Sequence, residues 1–263
     1  IFPVFNPYQA GMQTIFLYIS EFVFWAWFAL ALGASVFGVA YQSLANHQKS
    51  KGLMQVTANF VSQLHISKNT AWGAGLVSLI SLAFLRVSLL GGVISDIFWL
   101  YGLAVVFGSV AISLLNTYKT HLDLVTQDKV KSSVMSGVGA SICLLMAGYF
   151  YSAATGYALD ETQWGVGAFT MTLFKPLAMG LFLMLVSASL AATGVAISFF
   201  AVNGGIDNSR AVLIQMQRGV KMAYLFIPVF VISVMIHAFS LSEHVVTTWT
   251  VSILLAALLA MFF

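Results

Sequence analysis

Charge is what this chain has least of. Only 7% of its 263 residues are Asp, Glu, Lys or Arg, against 60% that are hydrophobic, and mean hydropathy is +0.95. Soluble domains carry about 25% charged residues, so this composition cannot build a water-facing surface around a core. A polytopic membrane protein is predicted, with the lipid bilayer as its first partner. The net charge of +3 is small and gives no reason to expect a nucleic-acid partner.

Cysteine is nearly absent too. Cys143 stands alone in the apolar run SICLLMAGYF, which excludes an internal disulfide, a Cys-held cluster and the CxxCH attachment of a c-type haem. It reads as a small buried hydrophobe. GxxxxGK[ST] and HExxH are missing, and no metal-ligand spacing occurs, so no metal site is expected. Ile1 is not Met, and the numbering is expected to start inside a longer or processed chain.

What is present is long apolar runs, each near the roughly 20 residues needed to cross a bilayer core. They predict an all-α transmembrane bundle of about seven spans in a single integral membrane domain, 1–263. The spans are about 14–41, 71–90, 94–115, 134–153, 167–202, 222–241 and 246–263. Residues 1–13, broken by Pro3 and Pro7, read as an interfacial entry, and 53–65 as a short amphipathic interfacial helix. Two polar stretches, NTYKTHLDLVTQDKVKSS and NGGIDNSRAVLIQMQRGVK, read as loops. Each time a span empties into a basic loop and returns, which suggests three hairpins and a final helix.

Lys49, Lys51, Lys68, Lys119, Lys129, Lys131, Arg210, Arg218 and Lys221 all fall in the odd-numbered connections, while the even ones carry Asp160, Glu161 and Glu243. By the positive-inside rule the odd connections are cytoplasmic and the N-terminus is outside, as in a multi-pass bacterial inner-membrane protein. Small residues mark the expected packing faces: SGVGAS in span four, and Ser187, Ser189, Ala191, Ala192, Gly194 and Ala196 in span five. Trp99, Tyr101, Trp164 and Trp249 suit interfacial belts.

Ionisable groups within spans are costly in hydrocarbon and so are the candidate site. They are Glu21, Arg86, Lys175 and His237, with Asp96 near the start of span three. All four intramembrane groups count into the outer third of the bilayer, which predicts one polar cluster there. Glu21 and Lys175 count to matching depth and are the expected ion pair, catalytic or structural. Pro176 is expected to free a carbonyl one turn earlier. Arg86 either joins the cluster or snorkels to the head-groups. His237 is a haem ligand, a proton relay or a packing residue. No second histidine matches its depth, so a bis-histidine haem b is not supported. A seven-helix retinal protein would need a lysine in the last span, which has none.

Two stretches between Tyr18 and Leu85 carry a family likeness, FLYISEFVFWAWFALALG and FVSQLHISKNTAWGAGLVSLISLAFL. They resemble the first two helices of the large subunit of the cytochrome bd oxidase family and its bd-like relatives. In that family a histidine of the first helix binds a high-spin haem; here Ser20-Glu21 stands in its place. Asp96 is the one candidate for the carboxylates of the family's third helix, and the long quinol-binding loop is missing. The resemblance implies the scaffold of a quinol-linked redox subunit that has lost at least one haem, with Arg86, Asp96 and His237 as candidate cofactor-binding residues.

Three functions follow as expectations. One is a membrane subunit of a respiratory or other electron-transfer complex, interacting with quinone near the outer face beside other membrane and redox subunits. Another is a transporter or ion channel gated by a Glu21–Lys175 pair. The third is a structural anchor for soluble partners.

Overall fold

The computed structural model describes residues 7–49, 51–64, 67–89, 96–123, 130–159, 173–203 and 209–240. Among them are seven helices and no strand. They are α1 Pro7–His47, α2 Lys51–Leu64, α3 Lys68–Leu89, α4 Asp96–Asp123, α5 Val130–Leu159, α6 Pro176–Asn203 and α7 Ser209–Ser240. Six of these are long and apolar enough to cross a membrane, and α2 is too short. The chain is an all-α, multi-pass integral membrane protein, as its composition requires. The expected seventh span, 246–263, lies outside the described residues, as do Gly91-Gly92, Asp160, Glu161, Trp164 and Trp249.

The helices outrun the apolar counts that predicted them. α1 starts at Pro7, so residues 7–13 belong to the first span's helix rather than to a separate entry. A proline is tolerated in the first helical turn, because the N–H it lacks would have no partner there. Residues 116–123 extend α4, and residues 209–221, expected as loop, are the opening turns of α7. Polar residues end a hydropathy window but not a helix, whose backbone hydrogen bonds stay internal on leaving the bilayer.

α1 is the axis of the bundle. It packs against α2, α3, α5 and α6, while α4 lies along α5 and α6 along α7 as hairpins. Its inward face buries Phe24, Trp27, Phe28, Leu32 and Phe37. The side chains facing away, such as Phe22 at 74% exposed and Trp99 of α4 at 73%, are large and apolar, as lipid-facing positions should be. The two most intimate crossings use the small residues of α6. The Thr193 Oγ1 donates to the Ala29 carbonyl of α1 at 3.0 Å, where Gly33 leaves room for it. On the other side Gly194 meets the α7 backbone at Gly219 and Ala223. A packing role for this stretch is what its composition predicted.

Between α1 and α2 the chain reverses through Lys49, which takes a left-handed φ of 50°. After one α-helical turn, Lys68–Ala71, α3 passes through a π-helical stretch, Trp72–Val77, whose Gly75 lies against the Trp27 ring.

Candidate functional site

Glu21 lies on α1 one turn before Trp25, so both side chains sit on the same face, toward α5. Tyr151 of α5 donates its hydroxyl to Glu21 Oε1 at 2.6 Å, and the Trp25 indole N–H donates to the Tyr151 oxygen at 3.0 Å. From α3, Arg86 Nη2 donates to the same Oε1 at 3.0 Å, closing an ion pair. One carboxylate oxygen thus ties three helices together, and Oε2 takes neither hydrogen bond.

α4 completes the surround. The buried Tyr101 ring meets that of Tyr151 edge-on at 6.3 Å between centroids, and its hydroxyl lies near Arg86 and Thr155. Phe24 stacks obliquely on Tyr151 at 4.5 Å. Arg86 is buried and its Nε has no hydrogen-bond partner among the described residues, whereas the Glu21 side chain stays a quarter exposed. Beside Glu21 on α1, Tyr18 and Phe22 face outward. The carboxylate therefore stands at the seam between the packed interior and the lipid-facing surface of α1.

The charges balance as a pair, which is what makes their burial tolerable. Removing one partner of a buried pair typically costs about 3–5 kcal/mol, since the survivor is left uncompensated. Arg86 does not snorkel. Two hydrogen bonds meet at the carboxylate, and no head-group contact in water could replace their fixed geometry.

The other expected members lie elsewhere. The Thr193–Ala29 contact sets α6 in register with α1 and puts Glu21 level with about Leu185. Lys175 is then about ten residues, or about 15 Å, nearer that end of the bundle. It directly precedes Pro176, the first residue of α6, so the matching depth counted from the apolar run does not hold. The run began at 167, but the helix begins at Pro176. For the same reason Pro176 frees no carbonyl within a span. It occupies the first helical turn, where its missing N–H costs nothing.

His237 is in the last turn of α7, with its backbone over Gly180 of α6, and its Nδ1 is buried without a partner among the described residues. Asp96 begins α4, and its side chain lies outside the described residues.

The position where the resemblance puts a haem ligand is filled. Glu21 is held by Arg86 and Tyr151, and Phe24, Tyr101 and Tyr151 close the space around it. These residues do not fit a haem on the Glu21 side of the bundle. Among the described residues no group of three His, Cys, Asp or Glu side chains could hold a metal ion.

Tyr151 and Trp25 are the members that sequence reasoning missed. The sequence singles out neither, and Tyr101, expected in an interfacial belt, is instead buried beside Arg86. α5 runs on to Leu159, which puts Tyr151 about two turns inside. No family model, curated protein or solved structure matches the chain.

Proposed function

We propose that the chain is the membrane-embedded subunit of a quinol-linked electron-transfer complex, in which Glu21 takes a proton from a quinol hydroxyl arriving through the lipid. The observation that carries this reading is the partly exposed carboxylate at the lipid seam, oriented by Arg86 and Tyr151. A quinol is lipid-soluble and reaches such a group without leaving the bilayer, and Oε2 is the oxygen free to meet it. Arg86 and Tyr151 both donate to Oε1, which fixes the rotamer of Glu21. Trp25 holds the Tyr151 hydroxyl with its proton aimed at the carboxylate. The positive-inside pattern puts this end of the bundle outside; Glu21 takes one quinol proton, the second leaves to water on that side, and the two electrons pass to redox centres carried by partner subunits.

A general base in reach of the proton it abstracts contributes typically about 10²–10⁴-fold. Glu21→Gln in the purified, assembled complex is expected to lower quinol turnover by at least about 10²-fold. Tyr151→Phe, which loses only the orienting bond, should lower it less. Unchanged turnover per assembled complex would remove Glu21 from the mechanism. Loss of assembly with turnover per complex intact would favour the anchor reading instead. The transport reading relied on a Glu21–Lys175 pair, and the partner of Glu21 is Arg86.

A further inference from the structure

Three buried polar atoms beside the Glu21 network have no hydrogen-bond partner among the described residues: Arg86 Nε, the Tyr101 hydroxyl and Thr155 Oγ1. Their residues come from three helices, α3, α4 and α5, and are 8%, 1% and 3% exposed. Buried groups of this kind are almost always satisfied in a folded protein, because each one left open costs the desolvation of that group. One such atom alone says little. Three in one place call for each other.

The packing brings them together. Tyr151, which donates to Glu21 Oε1, and Thr155 are four residues apart on α5 and share a face. The Tyr101 ring stands edge-on to Tyr151, and its hydroxyl lies in electrostatic contact with Arg86 and beside Thr155, with no closed hydrogen bond to either. The inventory of groups matches. A guanidinium offers donors only, a phenol can accept one hydrogen bond and donate one, and a threonine hydroxyl can accept. A chain from Arg86 to Tyr101 to Thr155 uses all three atoms. It needs no ligand, and only small rotations of side chains that already touch.

We propose that Tyr101 is a positioning residue, whose oxygen accepts from the Arg86 guanidinium and whose proton goes to Thr155 Oγ1. Arg86 is long and flexible, and anchored by Glu21 alone it would follow every movement of that carboxylate. Held from α4 as well, it presents Nη2 at a fixed point and keeps Glu21 in the rotamer that leaves Oε2 open. The hydrogen-bond chain stands on the packing alone. Its effect on turnover rests on the reading of Glu21 as the base.

The sign of one substitution decides it. Removing a buried hydroxyl that holds nothing is neutral or stabilising, whereas removing one that holds a charged group is destabilising. In the full chain, unfolded reversibly in mixed micelles, Tyr101→Phe and Thr155→Val should each raise the unfolding equilibrium constant by at least about fivefold. With Arg86→Met already in place, Tyr101→Phe should raise it by about twofold or less, because the cation it held is gone. The Ser152 hydroxyl is the control. It too is buried and unpartnered among the described residues, but it stands between Gly148 and Gly156, which meet α6 at Leu185 and Ala178, and so faces α6. Ser152→Ala should leave the constant within about twofold. In the assembled complex Tyr101→Phe should lower kcat for quinol by about threefold to tenfold, with KM within about twofold. A Tyr101→Phe chain as stable as the wild type would overturn the hydrogen-bond chain, as would an equal loss in Ser152→Ala. Equal losses with and without Arg86 would overturn the contact to the guanidinium. An unchanged kcat in Tyr101→Phe, where Glu21→Gln abolishes turnover, would overturn the positioning role and leave the base reading intact. Unchanged turnover in Glu21→Gln would remove that reading, and the stability cycle alone would then judge the chain.

Discussion

Arg86→Met isolates the ion pair that the bundle is tied with. The substitution keeps the length and apolar stem of the side chain and removes only the charge and its donors. Glu21 then keeps Tyr151 but loses its counter-charge. For a fully buried pair the cost would be about 3–5 kcal/mol. The Glu21 side chain is 25% exposed, so partial access to water relieves it, and about 2–3 kcal/mol is expected. The sharper measurement is the double variant Glu21→Met/Arg86→Met. With both charges gone, no group is left uncompensated. What remains is the Tyr151 hydroxyl proton without its acceptor, about 1–2 kcal/mol. The double variant should therefore be no less stable than Arg86→Met alone. Reversible unfolding in mixed micelles, read by circular dichroism, gives all the corners of the cycle. Additive losses would refute the reasoning, because independent sites add and coupled ones do not. An Arg86→Met variant as stable as wild type would show that the pair contributes nothing in the folded state.

The helix crossings give further expectations. At Gly194 an added Cβ would stand 2.7 Å from the Ala223 nitrogen and the Gly219 oxygen, both backbone atoms that cannot rotate away. Gly194→Val should cost at least about 3 kcal/mol and expose the α6–α7 hairpin to limited proteolysis. Gly102→Ala is the control: nothing lies within 4 Å of its Cβ, and it should gain up to about 1 kcal/mol from helix propensity. Thr193→Val removes the hydrogen bond to Ala29 and should lower stability by about 0.6 kcal/mol, measured by the same unfolding assay. Lys49→Gly relieves a left-handed residue and should raise stability by about 1 kcal/mol. A fall in the melting temperature would contradict that turn geometry.

Much of the fold was legible because bilayer length and hydropathy leave little choice. The six described spans and the amphipathic helix after the first all appear where the apolar runs predict them. The site was less legible. Glu21 and Arg86 were recognisable as costly groups, but the depth of each group was counted from the edge of its apolar run. That count failed at Lys175, because the helix starts at Pro176. Tyrosine and tryptophan also carry no charge to announce them, so their place in the network could not be told from interfacial use.

Composition and the apolar runs determined that the chain lives in a membrane, that it is helical, and that Glu21 is costly there unless paired, protonated or facing a polar cavity. Those conclusions follow from the cost of bare backbone and bare charge in hydrocarbon, which no tertiary arrangement can waive. Which partner Glu21 takes was decided only by the packing of α1 against α3 and α5. Along a one-dimensional chain Lys175, at matching counted depth, was the expected cation, with Arg86 and His237 as further members of the cluster. Register and rotation about the helix axes bring Arg86 to 3.0 Å and leave Lys175 and His237 outside the network. Tyr101, which reads as an interfacial aromatic in sequence, became a buried neighbour of Arg86 for the same reason. Helices close on one another through glycine and small side chains, and that closure selects which polar groups end up inside.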